Sequence, residues 1–236
     1  MKIRIVLTCF LLVSVWNVFS QQNTTTETPA IVKVDSLYRE DQFYIGMTYN
    51  LVGNSPTAFS QDKFSTGFSA GVLRDFPINT ARTIAIAPGL GFSYQNYHQN
   101  LLINGSASQP VYSIIPTGTY YSKNKIEHYL LDLPIEFRWR TSTPESHKFW
   151  RIYSGLKLSY LLASRSQYTD GQYNVIIKNN PDFNKMQLGL YMAMGYNTWN
   201  FYGYYGLTPL LSKGATIQDD PIGLQAIHLG LLFYIL

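Results

Sequence analysis

From Phe43 onward the chain keeps returning to one pattern, with a large apolar residue at every second position and a small or polar one between. Phe43, Ile45, Met47, Tyr49 and Leu51 alternate with Tyr44, Gly46, Thr48 and Asn50, and Phe64, Thr66, Phe68, Ala70 and Val72 alternate with Ser65, Gly67, Ser69 and Gly71. In the next run Ile84, Ile86, Pro88, Leu90, Phe92 and Tyr94 share one side, opposite Ala85, Ala87, Gly89, Gly91, Ser93 and Gln95. Such a period of two predicts strands with two unlike faces. The pattern continues through Tyr129 to Trp139, then Leu156 to Leu162, then Met186 to Tyr196, and ends with Phe201 to Leu210 and Ala226 to Leu236, whose faces it leaves unassigned. These are roughly eight strands of about ten to thirteen residues, longer than the ~5–6 usual in soluble sheets and suited to a tilted crossing of a bilayer.

The stretch LPIEFRWR, from Leu133 to Arg140, sharpens the question of which solvent each face meets. Leu133, Ile135, Phe137 and Trp139 form an apolar row, and Pro134, Glu136, Arg138 and Arg140 form the opposite one. A half-buried soluble strand would turn the charges to water and the apolar row to a core. The connections favour the reverse. Pro77 to Arg82, Thr141 to Trp150 and Asn197 to Asn200 are short, whereas Gly53 to Lys63, Tyr97 to Lys125, Ser164 to Asn184 and Ser212 to Leu224 are long, and the two kinds alternate along the chain. Short periplasmic turns and long outer loops mark an up-and-down outer-membrane barrel. The expected fold is therefore all-β, an eight-stranded antiparallel up-and-down transmembrane β-barrel over residues 40–236, with both ends periplasmic.

In that fold the apolar row faces lipid and the charged row fills the interior. His128, Asp132, Glu136 and Arg138, with Lys157 from the next strand, are expected to form a polar network in the lumen, its charges paired because unpaired burial is costly. Pro134 lacks an amide donor, so a bulge or a missing ladder bond is expected beside it. Trp139, Trp150, Trp199, Phe149 and Phe201 fall at the short turns and predict an aromatic girdle at the periplasmic interface. Tyr94, Tyr97, Tyr129 and Tyr160 gather near the long loops, as a second girdle would.

Composition adds the address. Lys2 and Arg4 precede the apolar run Ile5 to Val15, and Val18-Phe19-Ser20 offers a cleavage site before Gln21, so residues 1–20 read as a secretory signal peptide. Residues 21–39 read as a polar periplasmic leader. Cys9 is the single cysteine and lies in the signal, which leaves the exported chain without disulfide or thiolate chemistry. Removal of Lys2 and Arg4 also halves the formal net charge of +4, too little for nucleic-acid binding. No later apolar run reaches the ~18 residues of a membrane helix.

Chemistry is sparse. Eight strands enclose side chains rather than a channel, which argues against a porin. His128, Asp132 and Glu136 share one face and could act in general base catalysis, but no serine stands beside them as a nucleophile. His98, His147 and His228 lack metal-ligand spacing, so neither enzyme activity nor a cofactor is expected. The loop Leu101 to Lys125 carries LLINGS and VYSII, apolar enough to cover the barrel mouth or to dock a partner.

The blocks LPIEFRWRTSTPESHKFWRIYSGLKLSYLLA (Leu133 to Ala163), NNPDFNKMQLGLYMAMGYNTWNFYGYYGL (Asn179 to Leu207), YREDQFYIGMTYNL near the start and the ending LGLLFYIL together resemble the PorT (SprT) proteins of Bacteroidetes. The resemblance runs from about Tyr38 to Leu236; the final Leu236 departs from the aromatic residue that usually ends such barrels. It implies an outer-membrane barrel needed for type IX protein secretion and, in gliding species, for gliding motility. Its implied partners are outer-membrane lipid and other type IX components. With a filled lumen, an accessory or assembly role is expected rather than the pore, with the turn Ser142 to Trp150, the leader or the long loops as docking surfaces. A surface-binding or adhesin-like barrel and, more remotely, a lipid-modifying barrel enzyme are the alternatives.

Overall fold

The computed structural model describes residues 41–61, 63–141 and 150–235; the expected signal peptide and leader, and residues 142–149 of the expected docking turn with His147 and Phe149, lie outside the described residues. The barrel strands are β1 (Asp41–Gly53), β2 (Thr66–Arg74), β3 (Ile84–His98), β4 (Lys123–Arg140), β5 (Trp150–Thr169), β6 (Met186–Tyr196), β7 (Trp199–Gly206) and β8 (Gln225–Ile235). Each pairs antiparallel with its chain neighbours, and β1 pairs with β8, so the sheet closes into an eight-stranded barrel. Closure leaves the ladder without an exposed edge along the membrane-crossing section, as hydrocarbon requires.

Alternation carries through to burial. Phe43, Ile45, Leu90, Ile135, Leu156 and Leu190 point outward and are exposed, whereas Ala85, Ala87, Ser93, Asp132 and Arg138 point inward and are buried. The two strands whose faces the sequence leaves open are resolved by parity. On β7, Asn200, Tyr202 and Tyr204 face in and Trp199, Phe201 and Tyr205 face out; on β8, Ala226, His228, Leu232 and Tyr234 face in. Glycines on the inner face make room for this filling: a Cβ added at Gly91 would collide with the Tyr44 hydroxyl, and one at Gly189 with the Tyr204 ring.

Three expectations need correction, and a fourth holds. β7 spans Trp199–Gly206 rather than Phe201 to Leu210, because the chain leaves the wall at Gly206 and buries Leu210 and Leu211 over the barrel mouth. β4 and β5 run to 18 and 20 residues, beyond the crossing length, since their upper halves continue together above the rim with a short strand, Asn174–Lys178, on their edge. Tyr97 is not part of an outer girdle. It shares the inward parity of Gln95, is buried, and lies with its hydroxyl 2.8 Å from Nε2 of His228. Pro134 does interrupt the β3–β4 ladder, which skips from Pro88↔Ile135 to Gly91↔Asp132. A separate register shift lies on β5 at Leu162, between the pairs Tyr129↔Ala163 and Leu130↔Leu161.

The long loops fold inward over the mouth. Leu101–Ser106 and Gln109–Ile114 form a hairpin whose Leu101, Ile103 and Tyr112 join Ile126, Phe183, Leu210, Leu211 and Leu224 in one apolar cluster. Of the two readings open for this loop, covering the mouth is the one its buried residues take. At the other end Asn197, with a φ of 57°, makes the two-residue turn between β6 and β7, a left-handed position that asparagine tolerates.

Candidate functional site

The barrel interior holds the polar chemistry, arranged in three layers. Nearest the short turns, Arg138 is wholly buried; its Nε donates to Glu136 Oε2 at 2.8 Å and its Nη1 to Asp75 Oδ1 at 3.1 Å. Arg140 Nη2 lies 2.6 Å from Asp75 Oδ2, and Arg140 Nε donates to the Arg82 carbonyl at 3.0 Å. Tyr234 donates to the other Glu136 oxygen at 2.9 Å. The Arg138 guanidinium also sits 4.8 Å from the centre of the Tyr153 ring, and Arg151 lies 5.5 Å from that of Tyr234. Arginine suits such a place because its planar fork serves two carboxylates and a ring at once.

In the middle layer Ser159 donates to Asp132 at 2.5 Å, and Lys157 Nζ lies 3.8 Å from the other Asp132 oxygen. Lys157 also donates to the Tyr202 hydroxyl at 3.3 Å and sits over the Tyr204 ring at 4.5 Å. Tyr44, Tyr191, Asp132, Glu136 and Lys157 surround a cavity offering about 20 Å³ to the centre of a water molecule. A single water needs roughly 10–15 Å³ on that measure. This cavity has space for one or two waters and none for a solute.

The upper layer is uncharged in its contacts. Asn50 donates to Gln95 at 2.9 Å, Thr48 donates to Asn50 at 2.9 Å, and Tyr204 stacks on His228 at 4.8 Å. His128 is fully buried, its ring edge-on to Phe183 at 4.6 Å, and neither ring nitrogen has a hydrogen-bond partner among the described residues. The five residues expected inside, His128, Asp132, Glu136, Arg138 and Lys157, all lie there. They are not one assembly, however. Glu136 pairs with Arg138, Asp132 with Lys157, and His128 with neither carboxylate, so the His128, Asp132 and Glu136 set that could have served acid and base is not brought together. Among the described residues no three of His, Cys, Asp or Glu are grouped to hold a metal ion.

Sequence reading missed Asp75, Arg151, Tyr153 and Tyr234, and placed Arg140 on the inward row without giving it a partner. Parity could have found them. Carrying β2's inward positions Gly71 and Leu73 two residues further reaches Asp75.

On the outer wall Trp139, Trp150, Trp199 and Phe201 stand exposed at the short-turn ends of their strands, and Trp199 meets Phe233 edge-on at 4.9 Å. At the opposite level Tyr94 and Tyr129 contact across β3 and β4 with ring centres 5.2 Å apart. Tyr94 donates to Glu127 at 2.7 Å, and Glu127 also receives Lys125 at 2.7 Å and lies 3.7 Å from Arg165. Above the wall the Tyr112 hydroxyl donates to Asp182 at 2.8 Å and accepts from Asn180 at 2.8 Å, and burial pushes its pKa up. Asp170 accepts from the backbone amides of Tyr173 at 2.8 Å and Gln172 at 2.9 Å, which hold its carboxyl below the usual range.

A closed antiparallel barrel with an apolar exterior and a polar, side-chain-packed interior defines an outer-membrane β-barrel protein. The chain belongs to the outer membrane protein beta-barrel domain family, whose model matches residues 19–212. Among solved structures it is similar to Ail, the attachment invasion locus protein of Yersinia pestis, at 12% identity, covering 84% of this chain and 100% of that one with a TM-score of 0.40. A search of the curated proteins found no match.

Proposed function

We propose that this barrel is a non-enzymatic accessory or assembly component of type IX protein secretion, as its resemblance to the PorT (SprT) proteins implies, and not the conduit. The observation that carries the accessory role is the filled lumen. Arg138, Lys157 and the inward tyrosines occupy the bore, and the cavity beside Lys157 offers about 20 Å³ to the centre of a water molecule. A folded cargo protein cannot pass such a barrel, so a role in export would run through surfaces that contact other components. In the orientation expected from the sequence, these surfaces are the short turns and leader on the periplasmic side and the long loops outside.

The test is secretion of type IX cargo by a strain lacking the gene, with a plasmid copy as control and outer-membrane integrity measured alongside. Cargo held in the periplasm and released by the restored copy supports the proposal. Unaffected export refutes it. A surface-binding barrel is the second reading, favoured by the strongly exposed Tyr120, Tyr173 and Val111 on the long loops. Replacement of those loops would then abolish binding to a surface ligand while export continues.

A further inference from the structure

The ladder between β5 and its neighbour changes hands above the apolar belt. Up to Tyr160↔Met186 the partner is β6; from Arg165↔Lys178 upward it is the short strand Asn174–Lys178. Leu161 to Ser164 bridge the change, held by bonds from Leu161 N to the Lys185 carbonyl and from Asn179 N to the Ser164 carbonyl, both at 2.8 Å. The bulge at Leu162 falls in this seam. The result is a crevice in the outer wall of about 270 Å³, lined by Tyr160, Leu162, Ala163, Asn179 and Lys185 with Phe183 behind.

Charge collects at the crevice's upper lip. Arg165 and Lys178 form the first rung above it and are cross-strand partners, and the pairing places Glu127 beside Arg165 on β4. By strand parity Lys123 and Lys125 share the outward face with Glu127. Lys125, Arg165 and Tyr94 contact Glu127, Lys178 flanks Arg165 on the next strand, and Lys123 stands four residues further up β4, so cations outnumber this carboxylate along the lip. Of the other acids on the loops, Asp182 is engaged by Tyr112 and Asp170 by the amides of Gln172 and Tyr173. Lys123, Lys178 and Lys185 are exposed. Below the patch, Tyr94, Tyr129 and Tyr160 mark where apolar wall gives way to polar. A net positive outer face at the level of lipid headgroups is the electrostatic complement of lipid phosphate.

We infer that Arg165 and Lys178 bind the phosphate of an anionic lipid in the outer leaflet, and that the crevice below receives part of that lipid's acyl or sugar portion. With the long loops outside, the cations stand at headgroup height and the apolar lining of Leu162 and Ala163 lies on the membrane side of them. Bonding between the headgroup and Asn179 or Lys185 would fix its orientation.

The test is native mass spectrometry of the full barrel, refolded in neutral detergent and titrated with a bisphosphorylated lipid A or the same lipid enzymatically stripped of phosphate. Wild type is expected to retain the phosphorylated lipid about thirtyfold more tightly than the stripped one. R165Q/K178Q is expected to lose about thirtyfold, which is roughly 2 kcal/mol for two cations. Ala163→Trp, which fills the crevice and spares the charges, is expected to weaken the lipid but not inorganic pyrophosphate. Equal retention of both lipids by wild type overturns the inference without reliance on any variant. So does full competition by millimolar pyrophosphate, which would make the patch a site for free anions.

Discussion

Removal of Arg138 is the sharpest perturbation of the lumen. Its guanidinium bonds Glu136 at 2.8 Å and Asp75 at 3.1 Å, and all three side chains are buried. Arg138→Met keeps the volume and the apolar stem but removes the charge. Asp75 retains Arg140 at 2.6 Å, whereas Glu136 is left with neutral neighbours such as the Tyr234 hydroxyl, so the uncompensated charge falls on Glu136. Stripping one partner from a buried pair costs ~3–5 kcal/mol, and the expected loss is in that range. Neutralising both partners removes the stranded charge, so R138M/E136Q is expected to recover at least ~2 kcal/mol of it. The assay is urea unfolding of the barrel in lipid vesicles, followed by tryptophan emission and by the heat-shifted band on gels. A single-variant loss under ~1 kcal/mol, or a double variant as unstable as the sum of its parts, would refute the reasoning.

Other predictions follow from the same geometry. His128→Leu is expected to leave stability unchanged or raise it by ~1–3 kcal/mol, because it removes a buried ring without polar partners; a loss above ~1 kcal/mol in the same assay would count against it. Gly91→Val is expected to impair folding by driving a side chain into Tyr44 and against the Ala70 carbonyl, and Y44A is expected to restore folding on gels only in part. Since Asp170 has a lowered pKa, its contribution to the 170–173 turn is present above the unfolded carboxyl's pKa and is lost as pH falls through the folded value. D170A is therefore expected to speed protease cleavage there at neutral pH, and the difference from wild type is expected to vanish in strong acid. Quenching by lipids brominated at graded depths is expected to place Trp139, Trp150 and Trp199 at one shallow level; quenching deepest at the bilayer centre would remove the girdle.

Much of the wall was legible because alternation and lipid exposure are one signal. Phe43 to Leu51 or Ile84 to Tyr94 can have only one face out, and parity then fixes every inward side chain. Reading failed where parity stops ruling. Leu210 and Leu211 prolong an apolar run, yet they leave the sheet because the cluster over the mouth buries them better than the wall would. Tyr97 looks like an interface tyrosine by its position, but its face puts it beside His228. Asp75 lies just past the apolar row of β2, and its two arginines come from a strand far along the chain. Pairings of that kind need three-dimensional closure, which local pattern does not carry.

The closure of the sheet has a consequence for how the molecule is built. Every wall contact but one joins strands that follow each other in the chain, while β1 meets β8 across nearly the whole barrel sequence. Hairpins can therefore zip in order at small entropic cost, and the final seam bears the large loop-closure term. Until Phe43 finds Ile235, Glu136 has no Tyr234, so the bottom layer of charges completes only at that last event. Assembly that stalls before it leaves an open sheet with two raw edges and a buried carboxylate waiting for its hydroxyl, the species that an outer-membrane insertion machinery would have to shelter.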